Sequence, residues 1–309
     1  MLSKLTDRTL RLALLLALLV PVSRAVSTPT LEQQRSDFLR VEQAFNQGNE
    51  QAFMRLRDSL HDYPLLPALD YRRLRKRLAD SKQIEDFLQK YNYSYYSEQL
   101  RLDWLRYLFT QKRWQDFIAH YHVGDGVAFT CQFYWAHYQS DDKAVALTEA
   151  KRLWLSGDEL PKACQPLMAA FMKSSLVSPA LIWQRFEIAL QKDHLNVANQ
   201  TKNLLNEDQQ SQASAWLAVR NNPLLVTAET FISNAHNGRL FAYGIENLAR
   251  TKLNDALNLW DLRKLGLTID TATVQALERK LALALAKQRD DRAYARLDDL
   301  AFKDTEIKE

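Results

Sequence analysis

An all-α fold, built as a solenoid of short antiparallel helix pairs, is what this 309-residue sequence predicts. Three observations carry that expectation. Glycine (7) and proline (8) are scarce, where average usage would give about 37 of the two together. Apolar residues recur with the period of a helix in one segment after another. Short polar breaks separate those segments about every 12–20 residues, the spacing of helix pairs joined by tight loops. About 280 residues of short helices exceed what one compact bundle holds. No Gly-, Ser- or Pro-rich linker divides the chain into two bundles, so stacked pairs are the expected architecture.

Taken in order, the chain opens with Lys4, Arg8 and Arg11, then an unbroken apolar run from Leu12 to Val22, then Ser23-Arg24-Ala25. That is the basic start, apolar core and small-residue cleavage site of an export signal, with cleavage expected after Ala25. The apolar run is too short to span a bilayer well, since roughly 20 residues are needed. No later segment is apolar for long enough to cross a membrane. Residues 1–25 would form the signal peptide and 26–309 a single helical-repeat domain.

The first break is Asn46-Gln47-Gly48-Asn49. Tyr71, Leu74 and Leu78 then follow i, i+3, i+7, which leaves Arg72, Arg73, Arg75, Lys76 and Arg77 for the opposite, solvated face. Tyr91 to Tyr96 is the nearest thing to a strand, and it is short and polar. Leu102, Leu105 and Phe109 mark a further helix. After Ser140-Asp141-Asp142, with Asp or Ser placed to cap a helix near Lys143, come Ala146, Ala150, Leu153 and Trp154. Ile182, Phe186, Ala189 and Leu190 form another stripe, ended by Lys192-Asp193. Asn221-Asn222-Pro223 reads as an Asn cap with proline in the first turn. Asn237-Gly238 and Arg289-Asp290-Asp291 are the remaining breaks, with the stripe Leu277, Leu281, Ala284 and Leu285 between them. No fixed repeat period is visible.

Charge excludes one class of partner. Taking the four basic groups and one acid of residues 1–25 from the totals of 41 and 37 leaves 37 and 36, a net charge of +1. Nothing in that balance argues for nucleic acid. The two cysteines, Cys131 and Cys164, read as a bridge in an oxidising compartment more readily than as free thiols. A catalytic thiol is the weaker reading, since no activating neighbour is visible.

Candidate chemistry is thin. Gly124-Asp125-Gly126 lacks the third glycine and the preceding strand of a dinucleotide fingerprint. His120 and His122 at i, i+2 do not share a helix face, and no carboxylate completes a metal set with His137. Asp141-Asp142, Asp290-Asp291 and Asp298-Asp299 are adjacent pairs. Neighbours on a helix diverge by about 100° and cannot flank a glycosidic bond. Tyr91, Tyr93, Tyr95, Tyr96, Trp104, Tyr107 and Trp114 cluster, and core packing is the first explanation, with sugar stacking the second. The Arg72–Arg77 run reads first as a solvated face and second as a contact for something acidic, such as cell-wall stem carboxylates or a partner protein. No metal and no cofactor is expected.

Two stretches carry a family resemblance. Asp62-Tyr63-Pro64-Leu65-Leu66-Pro67-Ala68-Leu69-Asp70-Tyr71 is similar to an Asp-Tyr-Pro-Leu-x-Pro-x-Leu-Glu-Tyr segment. Cys131-Gln132-Phe133-Tyr134-Trp135-Ala136, Ala150-Lys151-Arg152-Leu153-Trp154-Leu155-Ser156-Gly157 and Pro161-Lys162-Ala163-Cys164 are similar to Cys-x-Tyr-x-x-Ala, Ala-Lys-x-Leu-Trp-Leu-x-Gly and Pro-x-x-Cys. Both resemble the N-terminal superhelical domain of the soluble lytic murein transglycosylases. The resemblance implies a right-handed superhelical α-solenoid, a periplasmic location, and a Cys131–Cys164 bridge. It also implies an enzyme family that cleaves the MurNAc–GlcNAc bond of peptidoglycan and leaves a 1,6-anhydro end.

The family's Glu-Ser, Gly-Leu-Met-Gln and Ala-Tyr-Asn-Ala-Gly motifs do not occur in residues 1–309. No catalytic residue is therefore carried over, and the expectation is a chain inactive by itself, a split or truncated product or a dedicated helical protein. It would bind glycan strands or a separately encoded catalytic chain. The competing expectation is a periplasmic tetratricopeptide-like adaptor for a protein partner. Tyr294, Leu297, Leu300 and Phe302 near the end are expected to be partly exposed if further helices normally cover them.

Overall fold

The computed structural model describes residues 29–60, 63–228, 237–298 and 300. The expected signal peptide, Asp62 of the first signature, and Phe302 lie outside the described residues. Sixteen α-helices and no strand occur among those residues. The chain divides into two compact units, residues 1–110 and 111–309.

In the first unit the helices are α1 (Leu31–Asn46), α2 (Glu50–Arg57), α3 (Leu66–Leu74), α4 (Ser81–Lys90) and α5 (Tyr95–Thr110). α1 opens on a capping box, the Thr30 hydroxyl accepting from the Gln33 amide while the Gln33 side chain accepts from Thr30 N–H. This satisfies two of the four donors that a helix start leaves orphaned. Val41, Phe53, Leu60, Tyr63, Leu66 and Leu69 form the core. The first signature is therefore largely core: its Tyr63 and two leucines are buried, and its Asp70 receives both the Nε and an Nη of Arg57 at 2.5 and 2.6 Å.

The second unit holds α6 (Trp114–His120), α7 (Val127–Gln139), α8 (Lys143–Trp154), α9 (Gln165–Met172), α10 (Pro179–Gln191), α11 (Leu195–Lys202), α12 (Glu207–Asn221), α13 (Gly238–Ala249), α14 (Leu253–Arg263), α15 (Thr271–Lys287) and α16 (Arg292–Asp298). Most helices pack on the next in the chain, and several on the next but one, as α13 does on α15. This nearest-neighbour packing is the solenoid arrangement expected from the sequence.

Here too the signature residues are structural. Cys131 on α7 is bonded to Cys164, with Cα atoms 4.9 Å apart, inside the range a disulfide needs. Ala146, Ala150, Leu153, Trp154 and Phe171 surround it. Gly157 has φ +70°, and a Cβ there would lie 2.5 Å from the Ile188 side chain. Glycine is thus required both by the left-handed backbone and by the close approach of α10. Buried Arg185 donates to the backbone carbonyls of Trp154 and Asp158, and its guanidinium lies 4.4 Å from the Trp154 ring. It closes the C-terminal end of α8, where carbonyls lack helical partners. Burial pushes the Arg185 pKa down.

One turn geometry recurs at uneven spacing, in the backbone rather than in residue identity. Four turns share one geometry: the second residue after the helix is left-handed, at Gly48, Asp141, Asp193 and Arg289 (φ 57–69°). The next amide then reaches back five residues, Asn49 to Ala44, Asp142 to His137, His194 to Ala189 and Asp290 to Leu285, at 2.8–3.1 Å. This is the Schellman closure, and it reverses the chain into the next helix each time. Only one of the four positions is glycine. Arg289 is exposed, so Arg289→Gly should stabilise the protein by about 0.5–1 kcal/mol. Relief of left-handed strain exceeds the added chain entropy. Calorimetry should show the melting temperature raised by about 1–3 °C.

The breaks at Asn46–Asn49, Ser140–Asp142, Lys192–Asp193 and Asn221–Pro223 separate helices as read, and Asn222 caps the 3-10 turn Pro223–Thr227. Asp142 stands at the cap of α8 but makes no side-chain cap bond. Its carboxylate turns to His137 Nδ1 at 3.2 Å instead. Of the terminal apolar set, Tyr294 is 74% exposed and Leu300 is buried.

Candidate functional site

The Arg72–Arg77 run differs from the solvated face its spacing suggests. Arg73 is buried, its Nε donating to Glu50 at 2.6 Å and an Nη to Gln83 at 2.7 Å. Arg77 lies 3.2 Å from the other oxygen of Glu50. Arg72 donates to Glu42 at 2.6 Å and lies over the Phe45 ring, shared with Lys76 at 4.4 Å. Arg75 is 3.5 Å from Asp103 and sits over Tyr71. The reason for the difference is that α1, α2 and α5 each present a carboxylate to α3, which hydropathy spacing within α3 does not reveal. The run is therefore a partly paired seam, three carboxylates facing five cations, with an exposed rim at Arg75, Lys76 and Arg77.

The tyrosines continue that rim. Tyr71 meets Tyr96 at 5.8 Å, and Tyr96 meets Tyr95 edge-on at 5.4 Å. Tyr95 is 70% and Tyr93 98% exposed, while Trp104 is fully buried. Core packing thus accounts for Trp104 but not for Tyr93 and Tyr95. Burial, with Asp103 next to it, raises the Tyr71 pKa.

The second unit contains a cleft of about 500 Å³ lined by Ala180, Trp183, Gln184, Glu187, Gln209, Gln212 and Arg239. Three helix starts position it. Ser178 caps α10 by accepting from the Leu181 amide at 3.2 Å, with Pro179 in the first turn. Trp183 and Glu187 follow at i, i+4 on one face. Asn206 caps α12 by accepting from the Gln209 amide at 2.9 Å, which sets Gln209 and Gln212 one turn apart. At the start of α13, a Cβ on Gly238 would lie 2.2 Å from the carbonyl oxygen of Thr268. Only glycine allows that approach, and it fixes the position of Arg239.

Glu187 ties the wall together. One oxygen accepts from the Trp183 indole at 2.8 Å and the other from Arg239 at 2.7 Å. The indole is held further by Phe186 at 5.3 Å and by Trp216 at 6.0 Å, nearly perpendicular. The Gln209 Oε1 is buried with no hydrogen-bond partner among the described residues. None of these six polar and aromatic side chains stands out in the sequence. Trp183 and Glu187 at i, i+4 beside an apolar stripe are a faint signal, and Arg239 lies 52 residues further on. Among the described residues no cluster of three metal-ligating side chains occurs, and no helix is long and apolar enough to cross a membrane.

The class defined by these observations is an all-α protein of stacked helix pairs, with a bridged central segment and polar clefts between helix starts. No protein-family profile matches the chain. In sequence it is 24% identical over 243 residues to the soluble lytic murein transglycosylase of Escherichia coli K12, which covers 77% of this chain and 38% of that protein. It is 23% identical over 232 residues to the Salmonella typhimurium LT2 protein of the same name, covering 74% and 36%. In fold it is similar to an inactive mutant of the lytic transglycosylase Slt from Pseudomonas aeruginosa. The TM-score is 0.76 at 26% identity, over 86% of this chain and 44% of that one. The 70-kDa soluble lytic transglycosylase of Escherichia coli shares the fold with a TM-score of 0.64 at 21% identity, over 91% and 46%. The resemblance to the soluble lytic murein transglycosylases thus holds in sequence and in fold, and the chain spans less than half the length of these relatives.

Proposed function

We propose that this chain is a periplasmic helical module of murein metabolism that binds peptidoglycan glycan strands and carries no catalytic residue of its own. The observation that carries the reading is the match, over about three-quarters of the chain, to proteins named for acting on murein. The matched signatures are core and bridge residues, so what is shared with those relatives is the scaffold. The structure supports two surfaces for the glycan: the exposed rim of Tyr95, Arg75 and Lys76, and the Trp183 cleft. Aromatic faces suit the apolar faces of sugar rings, and in the cleft Glu187 and Arg239 pair with each other, which suits a weakly charged polymer.

Co-sedimentation of the purified chain with enzyme-free sacculi tests this. Retention in the pellet that survives about 0.3 M salt is expected, because screening at that ionic strength removes purely electrostatic adsorption of exposed charges. An adaptor for a protein partner would stay in the supernatant, and that result would remove the proposal.

A further inference from the structure

We infer that the cleft between α10, α12 and the start of α13 is a subsite for one N-acetylated sugar of the glycan, an assignment that rests on the glycan-binding reading above. Four features of the cleft point to an acetamido sugar. The first is a fixed indole. Glu187 holds Trp183 by its N–H at 2.8 Å, and Phe186 and Trp216 hold its ring. A ring so held offers a platform without a further ordering cost.

The second is the carboxamides. Gln184, Gln209 and Gln212 line one small space with the indole. Each carries both a donor and an acceptor, which is what the N–H and C=O of an acetamido group require. The third is the buried acceptor of Gln209, which finds no donor among the described residues. An unmet buried acceptor costs about 1–3 kcal/mol, and rotation of the Gln209 carboxamide into the cleft would let an amide N–H or hydroxyl of a ligand meet it.

The fourth is charge. Glu187 and Arg239 neutralise each other at 2.7 Å, and Asp270 stands 3.9 Å from Arg239. A peptide-stem carboxylate entering the cleft would find Arg239 already paired, with a second acid behind it. A neutral ligand meets no such penalty. The volume, about 500 Å³, falls within the ordinary range of small-ligand sites.

The test uses the full chain and two soluble probes, the tetramer of N-acetylglucosamine and the tetramer of glucosamine. Saturation-transfer NMR should show the acetyl methyl protons as the strongest signal from the first probe, and no transfer to the second. Gln184→Ala with Gln212→Ala, both at exposed positions, should weaken binding about tenfold, the effect of one to two lost hydrogen bonds. Trp183→Phe keeps a ring in the core but loses the indole bond to Glu187, and should also weaken binding. Circular dichroism checks that each variant is folded. Equal binding of the two tetramers, or binding unchanged in the folded variants, would overturn the assignment. Retention on sacculi without binding of the acetylated tetramer would reject this subsite and leave the glycan-binding reading standing. Binding of the tetramer without retention on sacculi would keep the subsite and reject that reading.

Discussion

Asp70→Ala is expected to lower the stability of the first unit by about 3 kcal/mol. Asp70 is buried and takes two parallel hydrogen bonds from Arg57, with the Tyr91 hydroxyl on the same carboxylate at 3.3 Å. The hydrogen bond to Asp70 is the main reason the Arg57 pKa is raised. Removing the carboxylate leaves a guanidinium with no counter-charge of comparable geometry, and breaking a buried pair costs about 3–5 kcal/mol. The Arg57 side chain keeps 23% of its exposure, so water recovers part of that loss and the lower end applies. Asp70→Asn should cost less, since its amide oxygen still accepts one of the two bonds. Removing both partners with Arg57→Met and Asp70→Leu should be milder than Asp70→Ala alone. Urea unfolding of the four proteins measures the ordering. A single Asp70→Ala variant as stable as the parent would mean that the pair is solvated.

Loss of the bridge should have a comparable effect in the second unit. Cys131 and Cys164 are fully buried and close a loop of 33 residues. The chain-entropy model assigns such a loop about 3–4 kcal/mol. The bond ties α7 to the 3-10 turn Lys162–Cys164 ahead of α9, so it joins three helices that pack around Leu153, Trp154 and Phe171. Cys131→Ala with Cys164→Ala should shift the urea midpoint down, and reduction of the parent should reproduce most of that shift. The double variant should be indifferent to reductant. A parent equally stable with and without reductant would show that the loop is held by packing alone.

Which features could be read from the residues follows from how local their causes are. Helix breaks and caps depend on neighbours within a turn, so Asn46–Asn49, Ser140–Asp142 and Asn222–Pro223 were legible. The stripe Ala146, Ala150, Leu153 and Trp154 was legible because one face of one helix meets the core. Arg73 was not, because its partners Glu50 and Gln83 come from other helices. The recurring turn was hidden for another reason: its left-handed position is occupied by Gly48, Asp141, Asp193 and Arg289, four positions with three residue types. The Trp183 cleft draws on three helix starts, and nothing in sequence links Gln209 or Arg239 to Trp183. The signatures that identify the relatives, by contrast, were legible because they encode core, bridge and buried ion pair. For the same reason they reveal the scaffold and not the site.

Incubating the chain with enzyme-free sacculi and chromatographing the soluble fraction separates glycan binding from glycan cleavage. Cleavage of the glycosidic bond needs a general acid poised in a cleft. In the Trp183 cleft the lining carboxylate, Glu187, is occupied by the indole and by Arg239. The expected result is protein in the pellet and no anhydro-muropeptides in solution. Anhydro-muropeptides that accumulate with time, in a preparation from a strain lacking other transglycosylases, would contradict the account.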